Sequence, residues 1–265
     1  MIVFLFGLFG LVVGSFLNVV IFRYGARGMG SRSMCATCKK QLPWFDMVPV
    51  FSWFVLRGHC RYCKAPISIQ YPIVEATTGI LFAMIGVWAY PAFLYAWYVW
   101  PILIDYLAIC ALLVAIAAYD SRHKIIPDGW VWPFVGLALL SQFLTPLPND
   151  FPLTLFLLAG PVAALPLFAL WTVSKGTWMG FGDVKLSLGI GWLLGFPFGL
   201  IAVFFGFILG AVVSVPLLLW GKLLPGGSFG FTMKSEVPFG PFLIASTFIV
   251  WFAAVYNLPL PLVSL

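Results

Sequence analysis

Two acids stand out in a chain of 265 residues that carries only eight Asp and Glu in all. Asp183 lies in Gly180-Phe181-Gly182-Asp183-Val184-Lys185, at the start of an apolar stretch. Asp120 ends another, in Ala118-Tyr119-Asp120-Ser121-Arg122-His123-Lys124-Ile125-Ile126-Pro127-Asp128. An acid in or beside an apolar span is costly to hold and is a functional candidate for that reason. Two such acids at one depth, on different helices, can share one proton around a water. The ionised carboxylate takes a proton from the water, and the protonated partner hydrogen-bonds a peptide carbonyl. Like-charge proximity and partial burial supply both states at once. The titrations belong to the pair, so neither acid is assigned as the base. Taken singly, each acid has a plainer reading as a helix cap or a partner for nearby Arg and Lys.

Rival hydrolytic chemistries lack their parts. The chain has two histidines, His59 and His123, and no HExxH, which argues against a zinc protease. Neither histidine accompanies a convincing nucleophilic serine in a span, which argues against a Ser-His hydrolase. The remaining features of Gly180–Lys185 support the acid: Gly180 and Gly182 would let the backbone unwind and approach a substrate closely, and Lys185 stands two residues on.

The second constellation is sulfur. Four of the five cysteines form Cys35-Ala-Thr-Cys38 and Cys60-Arg-Tyr-Cys63. Two CxxC pairs at this separation give four thiolates able to surround one zinc ion tetrahedrally. A four-thiolate site has no open position and is structural. The alternative is two disulfides or a redox motif, which a reducing compartment opposes. His59, next to Cys60, could replace one of these ligands, but is expected to flank the site or lie at the surface; Cys110, alone in an apolar span, is expected to pack.

The other acids carry weaker signals. Asp128 follows Pro127 and is expected to act as N-cap of the next helix. Glu75 and Glu236 could line the active cavity or pair with basic loops. Asp105 is expected to be hydrogen-bonded to neighbours. Asp46 falls among the cysteines, and Asp150 in an outer loop.

The elements that must position these groups follow from composition. The chain is 63% hydrophobic and 8% charged, against roughly 25% charged in soluble domains. Most of it must face lipid, and disorder is excluded because that needs low hydrophobicity and high charge. Apolar stretches lie near 2–22, 73–90, 100–119, 129–145, 152–173, 184–197, 199–220 and 238–257. Helices are expected, since a sheet edge cannot be satisfied in lipid. The first stretch has no basic lead-in and no small-residue cleavage site, so it is expected to be a retained helix. The fold class is therefore an all-α polytopic membrane protein of about eight helices. Its expected parts are the first helix at 1–22, a polar insert at 23–72 holding the four cysteines, and a membrane domain at 73–265. An insert this small commonly needs a metal.

With eight spans, all 14 Lys and Arg residues fall on one side. The positive-inside rule makes that side cytoplasmic and puts both termini outside. The net charge of +6 then reports topology, with no nucleic-acid partner implied.

Several motifs recur in a fixed order: Gly14-Ser15-Phe16-Leu17-Asn18-Val19-Val20, both CxxC pairs, Ile67-Ser68 through Tyr71-Pro72 with Glu75, Asp120 through Ile126-Pro127-Asp128, Gly180 through Leu186, and Pro238-Phe239-Gly240-Pro241-Phe242. Together they resemble the bacterial type IV prepilin peptidases, or prepilin leader peptidases, over nearly the whole chain. The resemblance implies a GxGD-type intramembrane aspartic endopeptidase of the bacterial inner membrane. Such an enzyme removes the short basic leader from prepilins and pseudopilins at the cytoplasmic face, with Asp120 and Asp183 as its pair. The substrate's apolar N-terminal helix would dock from the lipid. The resemblance also implies N-methylation of the new N-terminal residue from S-adenosylmethionine. The four intact cysteines keep that activity open, with no donor site assigned. Tyr24-Gly25-Ala26-Arg27 stands where many relatives have Leu-Pro; this touches the linker to the insert, not the aspartates. A proton-coupled transporter would place acids at midplane, often within inverted repeats, and neither is visible. A catalytically silent scaffold would have no need of both aspartates.

Overall fold

A computed structural model describes residues 1–24, 33–91, 96–145, 153–223 and 237–258. Nine α-helices occur among them: α1 (Ile2–Arg23), α2 (Phe51–Val55), α3 (Gln70–Ala89), α4 (Val99–His123), α5 (Asp128–Leu144), α6 (Leu153–Ser174), α7 (Phe181–Leu194), α8 (Phe198–Leu223) and α9 (Gly240–Val255). A short 3₁₀ turn, Trp44–Met47, precedes α2. Among the described residues there is no strand, only two isolated bridges, Met34 with Gln41 and His59 with Pro66. Each of the eight apolar stretches contains a helix. Among the described residues, five helices are long and apolar enough to cross a bilayer, those within Ile2–Arg23, Gln70–Ala89, Val99–His123, Thr154–Ser174 and Phe198–Pro216. The chain is a multi-pass, all-helical membrane protein.

The chain divides into two compact units, Met1–Ala118 and Tyr119–Leu265. In the first, α1 lies backbone to backbone against α3. A Cβ on Gly10 would stand 2.8 Å from Gly79 Cα, and one on Gly14 would stand 2.7 Å from Glu75 Cα. Lipid offers no hydrophobic drive between helices, so small residues that allow this approach supply the packing. The seam is closed by Asn18, whose Nδ2 donates to Tyr71 O at 3.1 Å, and by Phe22 stacked on Tyr71. The described part of the insert, residues 33–69, belongs to the same unit. Asp46 holds Arg61 through paired hydrogen bonds to Nε and Nη2, and Trp53 Nε1 donates to Ile67 O at 3.2 Å.

The second unit is built around α7. This 14-residue helix buries Val184, Leu186, Ser187, Gly189, Ile190, Gly191 and Leu193, which spread around its circumference. A helix apolar on every side is an interior helix, and α7 packs against α5, α6, α8 and α9. Its enclosure explains how it can be shorter than a span. Gly195 at φ 71° ends it. Polar ties cross the bundle: Gln142 donates to Trp192 O, Trp192 Nε1 donates to Leu157 O, and Ser246 Oγ donates to Ala202 O.

Candidate active site

Asp120 sits in the last turn of α4. The helix ends because Lys124 takes a left-handed conformation (φ 56°) and its N–H returns to Asp120 O at 2.7 Å, a single-bond C-terminal cap. The chain then runs extended to Pro127, and α5 begins at Asp128. Asp183 is the third residue of α7, whose N-cap is Gly180. Both carboxylates are buried, at 4% and 8% exposure, and Asp183 lies within electrostatic range of Asp120. Two buried acids in the same unit that feel each other's charge have the arrangement that proton sharing needs.

What closes the site comes from two further elements. The backbone N–H of Gly240, first residue of α9, donates to Asp120 Oδ2 at 3.1 Å. A Cβ at Gly240 would lie 2.6 Å from that oxygen, so only glycine permits the contact unshifted. Ile126, buried between the α4 and α5 ends, would meet a Cβ on Gly182 at 2.9 Å and one on Gly240 at 3.4 Å. Ile126 therefore spaces the starts of α7 and α9. In the sequence, Gly240 and Ile126 appear only as members of ordered motifs, with no role of their own. The available signal was a glycine between two prolines at a helix start, where proline favours the first turn.

Three expectations are corrected. Gly180 and Gly182 do not unwind the backbone: Gly180 is extended (φ −74°, ψ 149°) and Gly182 lies within α7, where its missing side chain makes room for Ile126. Asp128 is not an N-cap; Pro127 occupies that place without a side-chain bond, and Asp128 accepts from Lys185 Nζ at 2.6 Å. Asp105 is buried, and neither carboxylate oxygen has a hydrogen-bond partner among the described residues. Lys185 Nζ also stands over the Phe181 and Trp132 rings. In the first unit, Glu75 is buried and accepts from Val50 N–H at 2.7 Å. Glu236 and Asp150 lie outside the described residues, as do Gly25, Ala26 and Arg27.

The insert repeats one turn twice. Lys39 and Lys64 each take a left-handed φ, 57° and 58°, and their N–H groups return to Cys35 O and Cys60 O, both at 3.0 Å. Cys35 N–H donates to Lys40 O, and Cys60 N–H to Ala65 O. The repeat is thus CxxCK, a longer signal than the cysteine pairs alone. The four sulfurs lie within 4.8 Å of one another, with Cys35 and Cys63 Sγ 3.8 Å apart. A tetrahedron with Zn–S of about 2.3 Å has edges of about 3.8 Å, so the cluster fits a metal ion. All four thiols are free, and a disulfide would need about 2.05 Å. The Cys38 N–H holds the Cys35 thiol down to about 6. Cys63 keeps a lowering contact from Ala65, yet desolvation and the neighbouring thiols push it up to about 11. Thiols crowded in this way cannot all ionise without a cation. His59 is no ligand in this arrangement; its Nδ1 pairs with Arg57 O at 2.7 Å.

An all-helical membrane chain with two buried acids in one unit and a four-thiol cluster in the other defines a class. Residues 8–89 match the Bacterial Peptidase A24 N-terminal domain, and residues 107–215 match the Type IV leader peptidase family. The chain is 30% identical to the prepilin leader peptidase/N-methyltransferase of Xanthomonas campestris pv. campestris, over 92% of this chain and 88% of the relative. It is 34% identical to the protein of that name from Myxococcus xanthus, over 82% and 63%. With the Klebsiella pneumoniae protein of that name it shares 31% identity over 70% and 82%. No solved structure matches. The chain belongs to the type IV leader peptidase family.

Proposed function

We propose that this chain is a membrane-embedded aspartic endopeptidase that removes the basic leader of prepilins and pseudopilins, with Asp120 and Asp183 as its catalytic pair. The observation that carries the assignment is the burial of both acids in one unit, within each other's field, with Asp120 fixed by Gly240 N–H. One carboxylate takes a proton from water as the water's oxygen attacks the scissile carbonyl carbon. The other, protonated, hydrogen-bonds the carbonyl oxygen. One proton then passes from the pair to the departing amine as the peptide C–N bond breaks, and the two aspartates are left sharing one proton as before. Gly240, Ile126, Gly182 and the Asp128–Lys185 pair hold the two helix ends in register and are positioning residues. The substrate's apolar helix binds from the lipid, and that remote binding orients the junction peptide.

The division of labour follows the sequence: residues 23–72 form the cysteine domain, and residues 73–265 carry peptide cleavage. Zinc is the metal, held by Cys35, Cys38, Cys60 and Cys63, and its role is to fold the insert. The protein sits in the bacterial inner membrane in eight passes, with its basic loops and aspartates at the cytoplasmic face and both termini outside. A second activity, N-methylation of the new N-terminus from S-adenosylmethionine, rests on the names of the relatives. Mass spectrometry of the processed peptide, with and without the methyl donor, tests it.

The test of the peptidase is cleavage of a pilin-like precursor by the purified chain in detergent. Asp120→Asn and Asp183→Asn should each abolish cleavage with the fold intact. Full activity in either variant sinks the pair. A transporter or a silent scaffold predicts no cleavage by the unaltered chain.

A further inference from the structure

The insert carries an apolar face that a water-soluble domain would not tolerate. Phe51, Phe54 and Val55 of α2 are 66%, 64% and 58% exposed, and Trp44, Phe45 and Met47 just before them are exposed too. A contiguous exposed patch of this kind marks an interaction surface.

The structure fixes the height of this face along the membrane-crossing helix α3. Val50 adopts φ 62°, ψ −52°, and Phe51 N–H returns to Pro49 O at 2.6 Å. This is the strained positive-φ γ-turn, rare for any residue and more so for a β-branched one. Such a turn persists only when its surroundings hold it. The holding contact is Glu75 of α3, which accepts Val50 N–H at 2.7 Å. At 1.5 Å per residue, Glu75 lies about 7.5 Å along the axis from Gln70, the first residue of α3. The 20 residues of α3 span about 30 Å, which is also about the thickness of the hydrocarbon core. A helix that just spans the core has its first turns at the boundary between headgroups and acyl chains. Glu75 therefore draws Val50, and the start of α2 with it, to that boundary.

We propose that the Phe51–Val55 face is a membrane-interface anchor, seated at the headgroup–acyl boundary of an anionic phospholipid surface. The chemistry agrees. Aromatic and branched side chains supply the buried side. Exposed Arg57 follows the C-cap of α2, exposed Lys39 and Lys64 stand on the two CxxCK turns, and exposed Lys40 comes next after the first, as suits anionic headgroups. The start of α3, whose Glu75 holds Val50, is itself apolar outside: Ile69, its N-cap, and Ile73 are exposed. The insert is then no free cytoplasmic domain but a structure tethered to lipid beside its own first helices.

The test uses the full chain in nanodiscs of phosphatidylglycerol and phosphatidylcholine, with acridonylalanine in place of Phe54. Phospholipid carrying a doxyl group at carbon 5 should lower its emission by about twofold or more, at the depth such anchors reach, while aqueous iodide has little effect. The same label in place of Val55 provides a second reading if the first variant does not fold. Quenching by iodide but not by doxyl lipid overturns the proposal, because the face then meets water. Protection from both quenchers also overturns it, because the face is then covered by protein. The readout is depth and not cleavage, so its outcome is separate from that of the peptidase assignment.

Discussion

In the insert, each CxxC pair is shaped by bonds inside its own turn, Lys39 to Cys35 and Lys64 to Cys60. Lys124 closes a like turn on Asp120, but no such local bond brings Asp120 and Asp183 together. Asp120 is met by Gly240, 120 residues further on, and the spacing of α7 and α9 depends on Ile126 from a third position. The thiol cluster is therefore two local devices whose sulfurs together fit one metal ion, and the acid pair is a product of helix packing. The sulfur site is also near solvent, with Cys63 exposed, whereas both acids are buried. A local, solvent-near site can be dismantled without disturbing the packing of the bundle. A packed site should be sensitive to any neighbour that moves a helix end.

The largest contrast should come from the acids themselves. Asp120→Asn or Asp183→Asn is expected to lower cleavage by roughly a thousandfold or more, with zinc content unchanged by metal analysis. Both effects together would break the comparison: an acid variant that also lost its metal would show that the two sites are not separately built.

Cys35→Ser with Cys38→Ser should reduce metal from one zinc per chain to none, while cleavage falls far less than in the aspartate variants. The same cluster gives a pH dependence of known sign. Thiolates bind the metal and thiols do not, so zinc affinity falls as pH falls. With the Cys35 thiol at about 6, chelator competition should strip zinc more readily near pH ~5 than near pH ~8. Equal retention at both values would contradict the four-thiolate assignment.

Gly240→Ala sharpens the packed side of the contrast. The added methyl would lie 2.6 Å from Asp120 Oδ2, and α9 or Asp120 must shift. Misplacement on the scale of an ångström costs up to about a hundredfold in rate. A ten- to hundredfold loss of kcat is expected, roughly, with an unchanged metal content. An active site indifferent to this methyl would mean that the Gly240 contact does not position Asp120.

The smallest effect belongs to Lys185→Met. Its partner Asp128 has 65% of its side chain exposed, so solvent screening leaves the pair worth about 0.5 kcal/mol. A few-fold loss of activity is expected. Asp128→Asn should do the same, and the double variant should lose little more than either single one.

The sequence by itself determined the helical, lipid-facing class, because so few charges cannot make a wetted surface. It determined the thiol cluster too, since CxxC spacing acts over one turn and needs no distant partner. It marked both aspartates, because an acid in an apolar stretch is rare enough to notice. It misjudged the glycines beside Asp183 and the capping role of Asp128, where a local rule was applied to a position governed by a distant residue. Tertiary structure alone decided that Gly240 meets Asp120, that Gly182 serves Ile126, that Lys185 finds Asp128, and that Glu75 holds Val50. Each of those contacts joins segments far apart in the chain, and local propensity and spacing carry no record of which helix ends will touch once the bundle has packed.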